Sequence, residues 1–103
     1  MELRCTLRRY KGTDILTLVG DIDWDGKGEL RRVAHALDGP RVPVRVDMTR
    51  VAFMDSTGAH FLTALKQRTT AAGVSLSVQG TPRQPTRVLE PLRLTDLISE
   101  QPR

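Results

Sequence analysis

Apolar and polar residues alternate along the first part of the chain. Leu3, Cys5 and Leu7 fall on one face, and Arg4, Thr6 and Arg8 on the other. That two-residue period predicts a strand over Leu3–Tyr10. Lys11-Gly12-Thr13-Asp14 reads as a turn, and Ile15–Val19 as a second strand ending at Gly20, so the first two elements form a hairpin. The period then changes. Leu30, Val33, Ala34 and Leu37 recur at i, i+3, i+4 and i+7, which predicts a helix stopped by Asp38-Gly39-Pro40. Val42–Met48 is a mostly apolar third strand, although Pro43 cannot donate to a ladder. Val51-Ala52-Phe53-Met54 reads as a short apolar connection. Phe61, Leu62, Leu65, Thr69 and Ala72 mark a long amphipathic helix closed by Gly73. Val74, Leu76 and Val78 alternate with polar residues as a fourth strand. Gly80-Thr81-Pro82 turns the chain, and the prolines place the start of a last helix near Pro85. Val88, Leu89 and Leu92 form its apolar face, Pro91 cuts it short, and Leu94–Ile98 adds a final helical turn.

The order β-β-α-β-α-β-α defines an α/β protein. Its β-α-β units require crossovers, so the expected architecture is a mixed four-stranded sheet with helices packed on it. At 103 residues, with no low-complexity linker and no internal repeat, the chain is expected to form one domain over 1–103. Hydrophobic residues make up 39% and charged residues 27%, which suits a folded soluble protein. Aromatics are only 4%, so the core must be aliphatic. No apolar run approaches the roughly 18 residues of a membrane span. The first residues lack the apolar stretch of an export signal, so a cytoplasmic protein is expected. A single cysteine, Cys5, excludes an internal disulfide and a multi-cysteine metal site.

The net charge of +4 comes from 13 Arg and 3 Lys against 12 acids. The excess of arginine reads either as a phosphate-binding surface or as Arg-for-Lys usage spread over the surface. The basic residues are scattered, however, with only the pairs Arg8-Arg9 and Arg31-Arg32, and stacking aromatics are few. A nucleic-acid partner is therefore not expected. Asp21, Asp23 and Asp25 alternate ahead of Gly26, but a calcium loop would need Glu where Arg32 stands, so no metal or other cofactor is expected.

The most informative segment is Val44–Gly58. A strand leads through Phe53-Met54, an apolar anchor, to Asp55-Ser56-Thr57-Gly58 at the start of a helix. Asp, Ser and Thr are all good N-caps, and a helix start offers free N–H groups and a positive dipole end. Asp47 reads as a strand-end residue bonding the Thr49 region.

The run Asp47-Met48-Thr49-x-Val51-x-Phe53-Met54-Asp55-Ser56-Thr57-Gly58 resembles the signature of the STAS domain of bacterial anti-sigma factor antagonists. Leu18-Val19-Gly20-Asp21-Ile22-Asp23 resembles that family's hairpin exit. Thr81-Pro82 followed by Val88-Leu89 through Leu97-Ile98 resembles its closing helix. The resemblance implies a regulator that binds a cytoplasmic anti-sigma factor and frees the sigma factor. The anti-sigma factor is a serine kinase that binds the ATP itself. Its target would be the serine after the motif's aspartate, here Ser56, with Thr57 as a secondary acceptor, and a serine phosphatase would reverse the mark. The resemblance places the acidic loop, Asp23 above all, beside the motif. The candidate partner surface is therefore Asp21, Asp23, Trp24, Asp55, Ser56, Thr57, Gly58 and His60.

Trp24 reads either as an aromatic interface anchor or as a residue packing the helix end. The family usually has Gly-Leu-Gly where this chain has Gly58-Ala59-His60. His60 lies one helical turn beyond Ser56, which raises a nucleophile–base alternative; no third orienting residue accompanies the pair, and the leading glycine of a nucleophile elbow is absent. The reading is thus a non-enzymatic monomer, with weak pairing conceivable through its hairpin edge. The alternative is a STAS interaction module of another signalling or transporter-associated assembly, without a phospho-switch.

Overall fold

The structure is a computed structural model, and it describes residues 1–94. Four strands form one sheet in the order β1-β2-β3-β4: β1 Arg4–Tyr10, β2 Thr13–Ile22, β3 Val44–Met54 and β4 Leu76–Gln79. β1 and β2 are antiparallel, whereas β2–β3 and β3–β4 are parallel. The parallel pairs are bridged by α1 Lys27–Ala36 and α2 Ser56–Ala72, and α3 Arg83–Leu89 follows β4. This is the expected mixed α/β sheet. Short 3-10 segments at Trp24–Gly26 and Glu90–Leu92 precede α1 and follow α3.

Among the described residues, helices cover one face of the sheet. Cys5, Leu16, Leu18, Ile22, Val44, Val46, Met48 and Val78 alternate inward and meet Leu30 and Val33 of α1, Leu62 and Leu65 of α2, and Leu89 of α3. Burying one such aliphatic side chain contributes about 1.5–3 kcal/mol, so this single layer of contacts holds the sheet and helices together. Thr69 lies in the apolar stripe of α2 and is buried. Its Oγ1 donates to the carbonyls of Leu65 and Lys66, which removes the cost of burying a hydroxyl. Ala72, counted in the same stripe, is exposed. Gly73 ends the helix at φ 76°, the left-handed conformation that favours glycine.

Several boundaries differ from the sequence reading. The hairpin turn is only Lys11-Gly12, both with positive φ, flanked by the Tyr10–Thr13 pair. Two such residues match the twist of a tight hairpin, so Thr13 and Asp14 are already strand. β2 runs on to Ile22, which makes Asp21 a strand residue paired with Phe53. β3 starts at Val44 rather than Val42 and continues through Val51–Met54, which is strand and not a connection. A register shift separates the Thr17–Asp47 and Val19–Arg50 pairs. A second shift follows between the Gly20–Val51 and Asp21–Phe53 pairs. Each moves the inward face by one residue, first from Met48 to Val51 and then from Val51 to Met54, and so hides the strand from a simple period of two. β4 begins at Leu76, leaving Val74 outside. α3 begins at Arg83, with Pro82 as N-cap and Pro85 inside the first turn, where a missing N–H costs nothing. The expected final turn over Leu94–Ile98 lies outside the described residues from position 95 onward.

Candidate functional site: the paired strand ends and the α1–α2 groove

β2 and β3 end side by side. Ile22 pairs with Met54, and the Asp55 N–H donates to the Ile22 carbonyl at 3.0 Å. Each strand end then opens a helical segment with an aspartate cap. Asp23 accepts from the Asp25 N–H at 3.1 Å, and Asp55 accepts from the Thr57 N–H at 2.8 Å. Asp23 and Asp55 thus each stand one residue beyond the paired Ile22 and Met54. The acidic loop and the Asp55-Ser56 motif, far apart in sequence, are neighbours for this reason.

Ser56 is the first residue of α2 and is exposed. Its cap partner, Asp55, satisfies the Thr57 N–H, so the Ser56 hydroxyl is not needed to cap the helix. Gly58 is buried: a Cβ there would overlap the Met54 side chain and lie 2.9 Å from Ile22 Cγ2. Its role in the geometry is to let α2 sit directly on the two strand ends. Met54 is held from the other side by Gln84 of α3, which accepts from the Met54 N–H at 2.7 Å and donates to its carbonyl at 2.8 Å. The last residue of β3 is therefore fixed on both backbone polar groups just before the motif.

Trp24 is 67% exposed, so it does not pack the helix end. Its ring carries Lys27 Nζ at 4.0 Å, a cation–π contact. Trp24, Thr57 and His60 line one open groove of about 340 Å³ between α1 and α2, together with Leu30, Ala34, Phe61 and Ala64, with Lys27 and Arg31 beside them. The groove is apolar and basic at its edge. Phe53, read from sequence as part of an apolar anchor, is 44% exposed. Met54 points into the core, so its neighbour in an extended strand must point out. Phe53 is thus a second exposed apolar residue beside Asp55, found only once pairing with β2 shows this segment to be strand.

Asp21 and Asp23 face a separate acidic cleft of about 680 Å³, shared with Asp25 and Glu29. Asp21 pairs there with the Met1 ammonium at 2.8 Å, which raises the amine's pKa. Glu29 is clamped by Arg32 and the Cys5 N–H, and these partners hold its carboxyl well down, at about 2. Among the described residues no three metal-ligating side chains stand close enough to share an ion. Nor does a hydrogen bond join Ser56 to His60 among them, so the geometry offers no assembled nucleophile and base. Of the sequence-predicted residues, Trp24, Thr57 and His60 meet in the groove, Ser56 and Asp55 stand at its end of α2, Asp21 and Asp23 lie on the cleft side, and Gly58 lies beneath.

A family model described as "Mlab, STAS domain" matches residues 5–99, and the chain belongs to the STAS domain family. Its fold is similar to that of the anti-sigma factor antagonist SpoIIAA in its unphosphorylated form, with a TM-score of 0.81 at 16% identity over 96% of this chain and 89% of that one. An anti-sigma factor antagonist from Mycobacterium paratuberculosis matches with a TM-score of 0.79 at 17% identity, over 94% of this chain and 83% of that one. A sulfate transporter family protein from Wolinella succinogenes matches with a TM-score of 0.69 at 19% identity, over 86% and 77%. No curated protein sequence matches. At these identities the structural likeness concerns the fold. Among the described residues no helix is long and apolar enough to cross a membrane.

Proposed function

We propose that the chain acts as one STAS domain and is an anti-sigma factor antagonist, switched off by phosphorylation of Ser56. The observation that carries the reading is the placement of Ser56: exposed, first in α2, beside the Asp55 cap and at the end of an apolar groove that displays Trp24. The partner is an anti-sigma factor that is itself a serine kinase and brings the ATP. A serine phosphatase resets the switch in the cytoplasm. Asp21, Asp23, Trp24, Asp55, Thr57 and His60 border the contact with the partner, and Gly58 keeps α2 seated beneath it. Thr57 is the secondary acceptor.

The unmodified Ser56 side chain is small and neutral, so a partner can cover it cheaply. A phosphate there adds about −1.5 to −2 charges. The helix N-terminus tolerates that charge, so the antagonist keeps its fold. The complex does not tolerate it: Asp23 and Asp55 already contribute negative charge at this corner, and a covered dianion must shed its water. A penalty of roughly 3–4 kcal/mol corresponds to a hundred- to thousandfold loss of affinity.

The test is calorimetric binding to ATPase-type anti-sigma factors of the same genome. Wild type and Ser56→Ala bind at micromolar affinity or tighter, and Ser56→Asp does not. Binding that ignores Ser56→Asp would discard the switch. The likeness to a sulfate transporter family protein supports a second reading, a STAS module of a transporter-associated assembly. That reading requires no binding to any of these anti-sigma factors.

A further inference from the structure

The face of the sheet away from the helices carries no covering element among the described residues, and the ladder places arginines on it in a regular pattern. Arg8 and Arg45 both pair with Ile15, one on each side, and Arg4 and Arg50 both pair with Val19. Strands lie about 4.8 Å apart, so each arginine pair spans about 10 Å. Arg8 lies four positions beyond Arg4 in β1, about 14 Å along the strand. The four arginines therefore stand at the corners of a near-rectangle. Its middle row is Thr6–Thr17–Asp47.

Among the described residues none of these four arginines forms an ion pair, and the Nε of Arg45 is buried without a hydrogen-bond partner. Arg4, Arg8 and Arg50 are exposed, and Arg45 is half-buried. Arg4 borders the acidic cleft, and Arg8 lies 5.6 Å from the Tyr10 ring. The acid in the middle row, Asp47, is already engaged: its Oδ1 accepts from Thr49 N at 2.9 Å and Thr49 Oγ1 at 2.7 Å. Spacings of about 10–14 Å match or exceed the Debye length of about 8–10 Å in physiological salt, so the repulsion among the four costs little in the free protein. The attraction to an opposite surface is fully available on binding.

We propose that this open face is a second docking surface, on the opposite side of the sheet from the α1–α2 groove, and that its occupant is a carboxylate-rich protein segment. Planar guanidinium groups engage carboxylates bidentately. The β2 strip between them, Ile15, Thr17 and Val19, is uncharged and suits the charge-depleted centre of a protein interface. Other polyanions fit less well. A flat sheet face puts no helix or ribbon into a DNA groove. The rows hold no aromatic platform for single strands. Their apolar residues, Ile15 and Val19, are half-buried and too short to anchor in a bilayer.

The experiment uses the full chain and a fluorescent poly-L-glutamate probe at near-physiological salt, with mixed-sequence duplex DNA and phosphatidylglycerol vesicles in parallel. The Arg4→Gln/Arg8→Gln/Arg45→Gln/Arg50→Gln variant loses about tenfold or more in affinity for poly-L-glutamate. An Arg41→Gln/Arg68→Gln/Arg83→Gln/Arg87→Gln variant has the same net charge and stays within about twofold of wild type. If the half-buried Arg45 disturbs folding, the triple variant that spares it still loses most of the affinity. Equal losses in the face and control variants would reduce the effect to net charge and overturn the proposal. So would absence of poly-L-glutamate binding, or tighter face-dependent binding of the DNA or the vesicles.

Discussion

Gln84 clasps Met54 through both polar groups of its backbone, accepting at 2.7 Å and donating at 2.8 Å. A helix thirty positions later in the chain thus fixes the strand end from which Asp55 and Ser56 depart. Gln84→Ala removes both bonds and leaves a part-buried N–H and carbonyl unpaired, at about 1–3 kcal/mol. Gln84→Glu keeps the acceptor but sets a carboxylate oxygen against the Met54 carbonyl, so it costs at least as much near neutral pH. Urea denaturation reads both. Wild-type stability in Gln84→Glu would mean the clasp does not form.

Gly58 has no room for a side chain above Met54 and Ile22. Gly58→Ala is expected to cost about 1–3 kcal/mol through overpacking. The cost should shrink in a Met54→Ala background, where the obstructing side chain is gone. A double-mutant cycle measures that coupling. Additive losses would place the clash elsewhere.

Asp55 caps α2 through its side-chain oxygen. Asp55→Ala should lower stability by about 1 kcal/mol, whereas Asp55→Asn, which keeps the acceptor, should stay within a few tenths. Because Asp55→Asn preserves the helix and removes the charge, it also separates roles. A change in anti-sigma factor binding by this variant, with unchanged melting, would place the carboxylate in the interface.

Glu29 is held down to about 2, first by its hydrogen bonds to Arg32 and then by the Cys5 N–H. A carboxylate whose pKa is lower folded than unfolded stabilises the protein above the unfolded value. That contribution is present above about 4.5 and fades as the pH falls toward 2. Glu29→Gln should therefore melt lower than wild type near neutral pH, with the gap closing through this window. A gap independent of pH would assign the effect to packing.

The Cys5 thiol is pushed up to about 12, first by burial and then by the nearby Glu29 carboxylate. Since the thiolate is the reactive form, Cys5 should resist a disulfide reagent at pH 8 in the native protein and react promptly in urea. Fast native labelling would show that β1 opens readily from the sheet.

Some of these features are written locally. The alternation of Cys5 and Leu7, the helical spacing of Leu30, Val33 and Leu37, the Asp55 cap and the Gly73 stop all act within a few residues. Asp47 bonding Thr49 is of the same kind. Periodicity and capping chemistry depend on neighbouring dihedral angles, so the sequence by itself determined the element order, the buried face and the start of α2. It also carried the STAS motif, whose residues are contiguous.

What the tertiary structure decided depends on partners distant in sequence. Two register shifts in β3 break the two-residue period, and only pairing with β2 reveals that Val51–Met54 continues the strand and turns Phe53 outward. The adjacency of Asp23 to Asp55 comes from the Ile22–Met54 pair, and the clasp from Gln84 comes from the seating of α3. The groove under Trp24 requires α1 and α2 to lie side by side, and the four-arginine rectangle requires the register of three strands. Each is a non-local contact set by burial of the common core, so no short window of sequence contains it.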